Sequence, residues 1–134
     1  MRTTILDSSA VLALLFDEPG AEKLEALLHD AADADKPLLI TAANWTEVLC
    51  HMKRKRGDEG VTSAKNFHCT MPLEIVQLDS ALAEIAADIL FQHGFGLARA
   101  FAAALSKSRK AELVTSDPGL KPLEKTIKIS WLTA

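Results

Sequence analysis

The sequence predicts an α/β fold, a mostly parallel sheet of about five strands with helices on both faces. Three observations carry this. Short apolar runs alternate along the chain with longer segments whose apolar residues recur at helical spacing. Five runs read as strands: TTIL at 3–6, KPLLIT at 36–41, LEIVQL at 73–78, AELVTSD at 111–117 and TIKISWL at 126–132. Strands that alternate with helices form a parallel sheet covered on both sides.

The first strand ends at Asp7, and Ser8 or Ser9 can cap a helix to about Phe16. Asp17-Glu18-Pro19-Gly20 stops it, and Leu24, Leu27 and Leu28 then mark a helix to about Ala32. After the second strand, residues 42–56 place Trp45, Val48, Leu49 and Met52 on one helix face, and a further helix covers 60–70. Asp79 follows the third strand and caps a helix carrying Leu82, Ile85, Ala86 and Ile89. Gly94 and Gly96 interrupt the chain before the helical stretch 97–110, and the last two strands close the fold. No internal repeat or low-complexity linker divides the chain, so 1–134 reads as one domain.

A chain of 134 residues is long enough to bury a core without staples. Aromatics make up 5% of it, so that core is built of Leu, Ile, Val and Ala. The net charge of -3 supplies no overall basic field, and nucleic-acid binding would have to rest on a local patch. Cys50 and Cys69 are isolated and lack CxxC spacing, which argues against a disulfide framework or a zinc site. Reduced thiols, no signal-type N-terminus and no membrane-length apolar run together suggest a soluble cytoplasmic chain without membrane contact. Glycine-rich dinucleotide loops, Walker loops and GxSxG are absent, and Ser8 and Ser9 have no plausible His partner.

The acids carry the chemistry. Asp7 follows the first strand and Asp117 the fourth, and in a parallel sheet such ends share the edge where ligands collect. Glu47 lies about one turn into the helix after the second strand, on the same edge. Taken singly, each aspartate is equally a helix cap. Capping does not explain why the first strand ends on Asp followed by Ser-Ser-Ala. Three converging carboxylates repel one another unless a cation sits among them, and Mg²⁺ suits such oxygen donors while keeping waters for chemistry. An ion of this kind can polarise a phosphodiester and activate an attacking water.

ILDSSAVLALLFDEPG, then NWTEVL, then GFGLARAFAAALSKSRKAELVTSDPGLK, with the closing KISWL, resemble a PIN domain of the VapC type. VapC proteins are the ribonuclease toxins of VapBC toxin–antitoxin modules. The resemblance covers nearly the whole chain in order and implies a PIN-like three-layer α/β/α fold. It implies a Mg²⁺-dependent endoribonuclease, with Mn²⁺ as a substitute, that is homodimeric and neutralised by a VapB-like antitoxin. Carried over by position, Asp7, Glu47 and Asp117 are the catalytic and metal-site acids, and Ser9 and Thr115 the supporting hydroxyls.

One position departs from the pattern. The family supplies another acid at the start of the helix after the glycine turn, and this chain has Arg99 there. A guanidinium about 5 Å from a divalent ion repels it by several kcal/mol at an effective dielectric of roughly 20. Arg99 can swing outward, or fork onto Asp7 or Asp117 and replace the metal's charge with its own. The sequence therefore allows either a nuclease or a catalytically impaired PIN domain that binds antitoxin or RNA. The basic run Lys53-Arg54-Lys55-Arg56 reads as a solvated helix end or as a phosphate-contacting rim beside the acids. His51 shares a helix face with Glu47, but no HExxH pattern supports a metal role. Receivers and aspartyl-phosphatases need acid pairs that LDSSA does not provide.

Overall fold

Residues 3–133 are described by the computed structural model. Five strands, β1 (Thr4–Leu6), β2 (Leu38–Thr41), β3 (Leu73–Val76), β4 (Glu112–Thr115) and β5 (Lys128–Trp131), form one sheet in the order β3-β2-β1-β4-β5. Every adjacent pair is parallel. Helices α1 (Ser8–Leu15), α2 (Ala21–Asp33) and α3 (Ala42–Thr70) cover one face, and α4 (Ser80–His93) and α5 (Leu97–Arg109) the other.

Strand alternation divides the core. Ile5 is in register with Leu39 and Leu113, and these three side chains pack with Leu82, Ala86, Ile89 and Phe101 of α4 and α5. Leu6, Leu38, Ile40 and Val114 point the opposite way, onto Val11, Leu24, Val48 and Met52 of α1–α3. The strands read as continuous apolar runs because both sides are buried. This is the three-layer α/β/α arrangement. Small buried residues, Ala100, Ala102, Ala103 and Ala104, let α5 lie close against the strands.

Several boundaries differ from the sequence expectation, each for a local reason. Both helices expected at 42–56 and 60–70 are present within α3, but they abut at a kink at Gly57 instead of leaving residues 57–59 between them; the φ of 64° and ψ of -153° there are non-helical and suit only glycine. The bend brings Gly60 against Met52, which a straight helix keeps about 12 Å away; a Cβ at 60 would lie 2.5 Å from the Met52 carbonyl oxygen. β3 stops at Val76 because its partner β2 ends at Thr41, where α3 begins. Residues 118–123 form a 3-10 turn capped by Asp117. Thr126 and Ile127 donate their N–H groups to the Leu123 carbonyl at 3.0 Å, which takes them out of the β5 ladder. Asp7, not Ser8 or Ser9, caps α1. Among the described residues no helix is long and apolar enough to cross a membrane.

Candidate functional site

Chain order reverses at β1: the strands run outward to β3 on one side and through β4 to β5 on the other. The carboxyl ends of β1 and β4 therefore border the crevice where such sheets bind ligands. Helices that follow a strand start at this edge, and the helix that precedes β4 also starts there. Asp7 before α1, Glu47 in the second turn of α3 and Arg99 in the first turn of α5 consequently meet Asp117 beyond β4.

Asp7 is only 4% exposed. Its Oδ1 accepts from the Ala10 N–H at 3.0 Å and from the Ser9 hydroxyl at 2.7 Å, and its Oδ2 from the Thr115 hydroxyl at 2.5 Å. Those hydroxyls are themselves held by backbone: the Ser116 N–H donates to Ser9 Oγ at 3.0 Å, and the Asp117 N–H to Thr115 Oγ1 at 2.9 Å. Burial pushes the Asp7 carboxyl above its ordinary value, the Ser9, Thr115 and Ala10 hydrogen bonds oppose that rise, and the nearby Asp117 charge adds to it.

Asp117 faces the rim. Arg99 forks onto it, Nε donating to Oδ2 at 2.6 Å and Nη2 to Oδ1 at 3.0 Å. The Gly119 N–H donates to the same Oδ1 at 2.9 Å. The guanidinium lies over Gly119, where a Cβ would come within 2.5 Å of Arg99 Cζ. The hydrogen bonds to Asp117 hold Arg99 even more firmly protonated, with the charges of Asp117, Glu47 and Asp7 adding to this. Glu47 Oε1 accepts the Ser8 hydroxyl at 2.6 Å.

Asp7, Ser8, Asn44, Glu47, Arg99 and Asp117 line one cleft of about 250 Å³. Asn44 was not singled out from the sequence, and Ser8 was weighed there as a helix cap and a nucleophile, not as a residue of the acid site. The available signal was spacing, since Asn44 lies three residues before Glu47 and shares its helix face. Buried Asn44 is oriented by the Thr41 hydroxyl, which donates to Asn44 Oδ1 at 2.5 Å and accepts from the Asn44 N–H at 3.1 Å.

The basic run splits up. Arg54 lines an adjoining cleft of about 400 Å³ with Ser8, Glu47, Cys50 and His51. Arg56 lies 4.5 Å over the Phe16 ring, Lys53 pairs with Asp58 at 3.7 Å, and Lys55 is exposed. His51 packs edge-on against Phe16, with 5.6 Å between ring centres.

The PIN domain family model matches residues 4–125. The chain belongs to the PIN domain family. Solved structures similar to this PIN domain include DNA-bound VapBC from Salmonella typhimurium, at 18% identity and a TM-score of 0.73, covering 98% of this chain and 99% of that one. VapBC-1 from nontypeable Haemophilus influenzae matches at 14% identity and 0.73, with the same coverage. VapC20 from Mycobacterium tuberculosis, described as a sarcin-ricin loop cleaving toxin, matches at 16% and 0.65 over 90% of this chain and 94% of that one. At these identities the likeness is one of fold. No curated protein sequence matches significantly.

The acids of this PIN domain do not fit a divalent ion as they stand. Both Asp117 oxygens are engaged by the guanidinium, and both Asp7 oxygens face hydroxyl or amide donors. Among the described residues no group of three or more His, Cys, Asp or Glu side chains is placed to hold a metal. Arg99 is the one cation among the residues lining this cleft, and it pairs with Asp117.

Proposed function

We propose that this PIN domain is the VapC-type component of a toxin–antitoxin pair, bound by a VapB-like antitoxin, with RNA as its ligand at the sheet edge. By descent it is a Mg²⁺-dependent endoribonuclease, and in this chain phosphodiester hydrolysis is curtailed by Arg99. The single observation that carries the reading is the Arg99–Asp117 fork. A guanidinium on the rim acid neutralises Asp117, and it repels any ion approaching Asp7 and Glu47. The guanidinium N–H groups not engaged by Asp117 can donate to a phosphate at the rim, where Arg54 of the adjoining cleft adds a second cation. Asp7, Glu47 and Asp117 remain the acids of the site, with Ser9 and Thr115 fixing the Asp7 carboxylate.

A second reading is an active endoribonuclease in which Arg99 turns outward. It is favoured by the 44% exposure of the Arg99 side chain, which leaves room for that swing. Incubation of the purified protein with structured RNA and Mg²⁺ or Mn²⁺ separates the two. The expected result is RNA binding with weak cleavage, strong metal-dependent cleavage by Arg99→Asp, and none by the Asp7→Asn variant. Efficient cleavage by the unaltered chain, lost in Asp7→Asn, overturns the impairment and establishes the second reading.

A further inference from the structure

Beyond Asp117 lies a second cleft, of about 450 Å³, lined by Ser116, Pro118, Lys121, Glu124, Trp131 and Thr133. It shares a wall with the acid cleft: Asp117 faces one, while its chain neighbours Ser116 and Pro118 face the other. Trp131 is in register with Thr115, the hydroxyl donor to Asp7. The Trp131 backbone thus runs one strand spacing, about 4.8 Å, from that of Thr115.

Trp131 is partly exposed, although it belongs to a strand of the sheet. Its ring N–H donates to Glu124 Oε2 at 3.0 Å, and its carbonyl accepts from Lys23 Nζ at 2.8 Å. A flat apolar surface is therefore held in place at its edge and its backbone, and the acid that holds it is occupied in doing so. Lys121 supplies a cation at the rim. A fixed aromatic face beside a cation, across one wall from the cleft proposed to meet RNA, is how proteins hold single-stranded nucleic acid by stacking. An aliphatic peptide side chain could fill the volume but has no use for the fixed ring plane or the cation.

We propose that this cleft receives a nucleobase, stacked on Trp131, from the RNA strand whose phosphate occupies the acid cleft. The proposal rests on RNA being the ligand of that cleft. Stacking is sequence-tolerant, so the site would favour an unpaired base over a particular letter.

The chain's tryptophans make the test direct, because Trp45 is buried at 8% exposure and Trp131 is not. A short single-stranded RNA of mixed sequence is titrated in Mg²⁺ buffer, with its integrity verified on a gel. Anisotropy of a labelled strand gives affinity and tryptophan emission reports contact. We expect RNA to quench emission, and Trp131→Ala to abolish the quench and weaken binding roughly 5- to 150-fold. Trp131→Phe should keep most of the affinity, which separates stacking from a folding defect that thermal melts of both variants would also reveal. A strand of the same length with abasic sugars should bind the unaltered protein and Trp131→Ala equally. RNA binding that neither quenches Trp131 nor changes in Trp131→Ala overturns the base site and leaves the RNA reading intact. Equal weakening for RNA and abasic strand also overturns it. Quenching by a leucine-rich helical peptide but not by RNA assigns the cleft to protein and overturns it. No RNA binding by the unaltered chain removes the base site and the RNA reading together.

Discussion

A carboxylate nearly cut off from water, as Asp7 is, stays in place because three donors converge on it, and its burial still raises its pKa. A raised folded-state value means that the native state holds the proton more tightly than the unfolded chain. The resulting stabilisation is complete below the unfolded value of 3.8 and is lost as pH rises through the folded value. At neutral pH the buried charge is therefore a liability. In EDTA, Asp7→Asn should melt at a higher temperature than the unaltered chain at pH 7, and the gap should narrow towards pH 4; calorimetry at the two pH values checks both. The meeting of Asp7 and Asp117 was legible from their places after two parallel strands. The choice of Asp117 as the Arg99 partner was not, because spacing along a chain carries no burial. Asp7 lies behind its hydroxyls, whereas Asp117 stands at the rim. Asn44 was missed because an Asn in the first turn of a helix looks like a local backbone partner.

At the scale of the element, α3 explains why a dense basic run need not form a basic surface. Consecutive helical residues turn about 100° apart, so four neighbours point in four directions. Arg54 faces the cleft beside Glu47, while Arg56 covers Phe16 and Lys53 reaches Asp58. Arg54→Glu should therefore weaken RNA binding and lower its salt slope by about one, and Lys55→Glu should do much less. Binding isotherms at several salt concentrations read this out. The helix itself was legible in its apolar spacing. So was its division near Gly57, which the sequence puts between two helices and the structure puts at a kink.

For the whole molecule, the sheet separates two apolar layers, and nearly all large apolar residues lie in one or the other. Phe91 on α4 and Leu97 at the start of α5 do not, at 92% and 60% exposed. We propose that they would be covered if the chain pairs as the VapC resemblance implies. Covering an aromatic of this size contributes about 1.5–3 kcal/mol. Phe91→Glu should shift the chain from dimer to monomer, raising the dissociation constant tenfold or more, as sedimentation velocity would show. The layer count, the strand number and the parallel sense followed from alternation of short apolar runs with helical stretches. The strand order did not, since it depends on which neighbours pair across the sheet.

The bare backbone at Gly119 has a consequence for the charge arrangement above it. Arg99 reaches its carboxylate only because nothing projects from that residue. A single methyl placed there, Gly119→Ala, would evict the guanidinium by bulk alone while leaving every ionisable group in the chain unaltered. If occupancy by the cation is what keeps Mn²⁺ out, this neutral change should raise Mn²⁺ affinity in isothermal titration, in the same direction as Arg99→Asp but by less. Steric exclusion and electrostatic repulsion, entangled in any substitution of the arginine itself, would then be weighed separately.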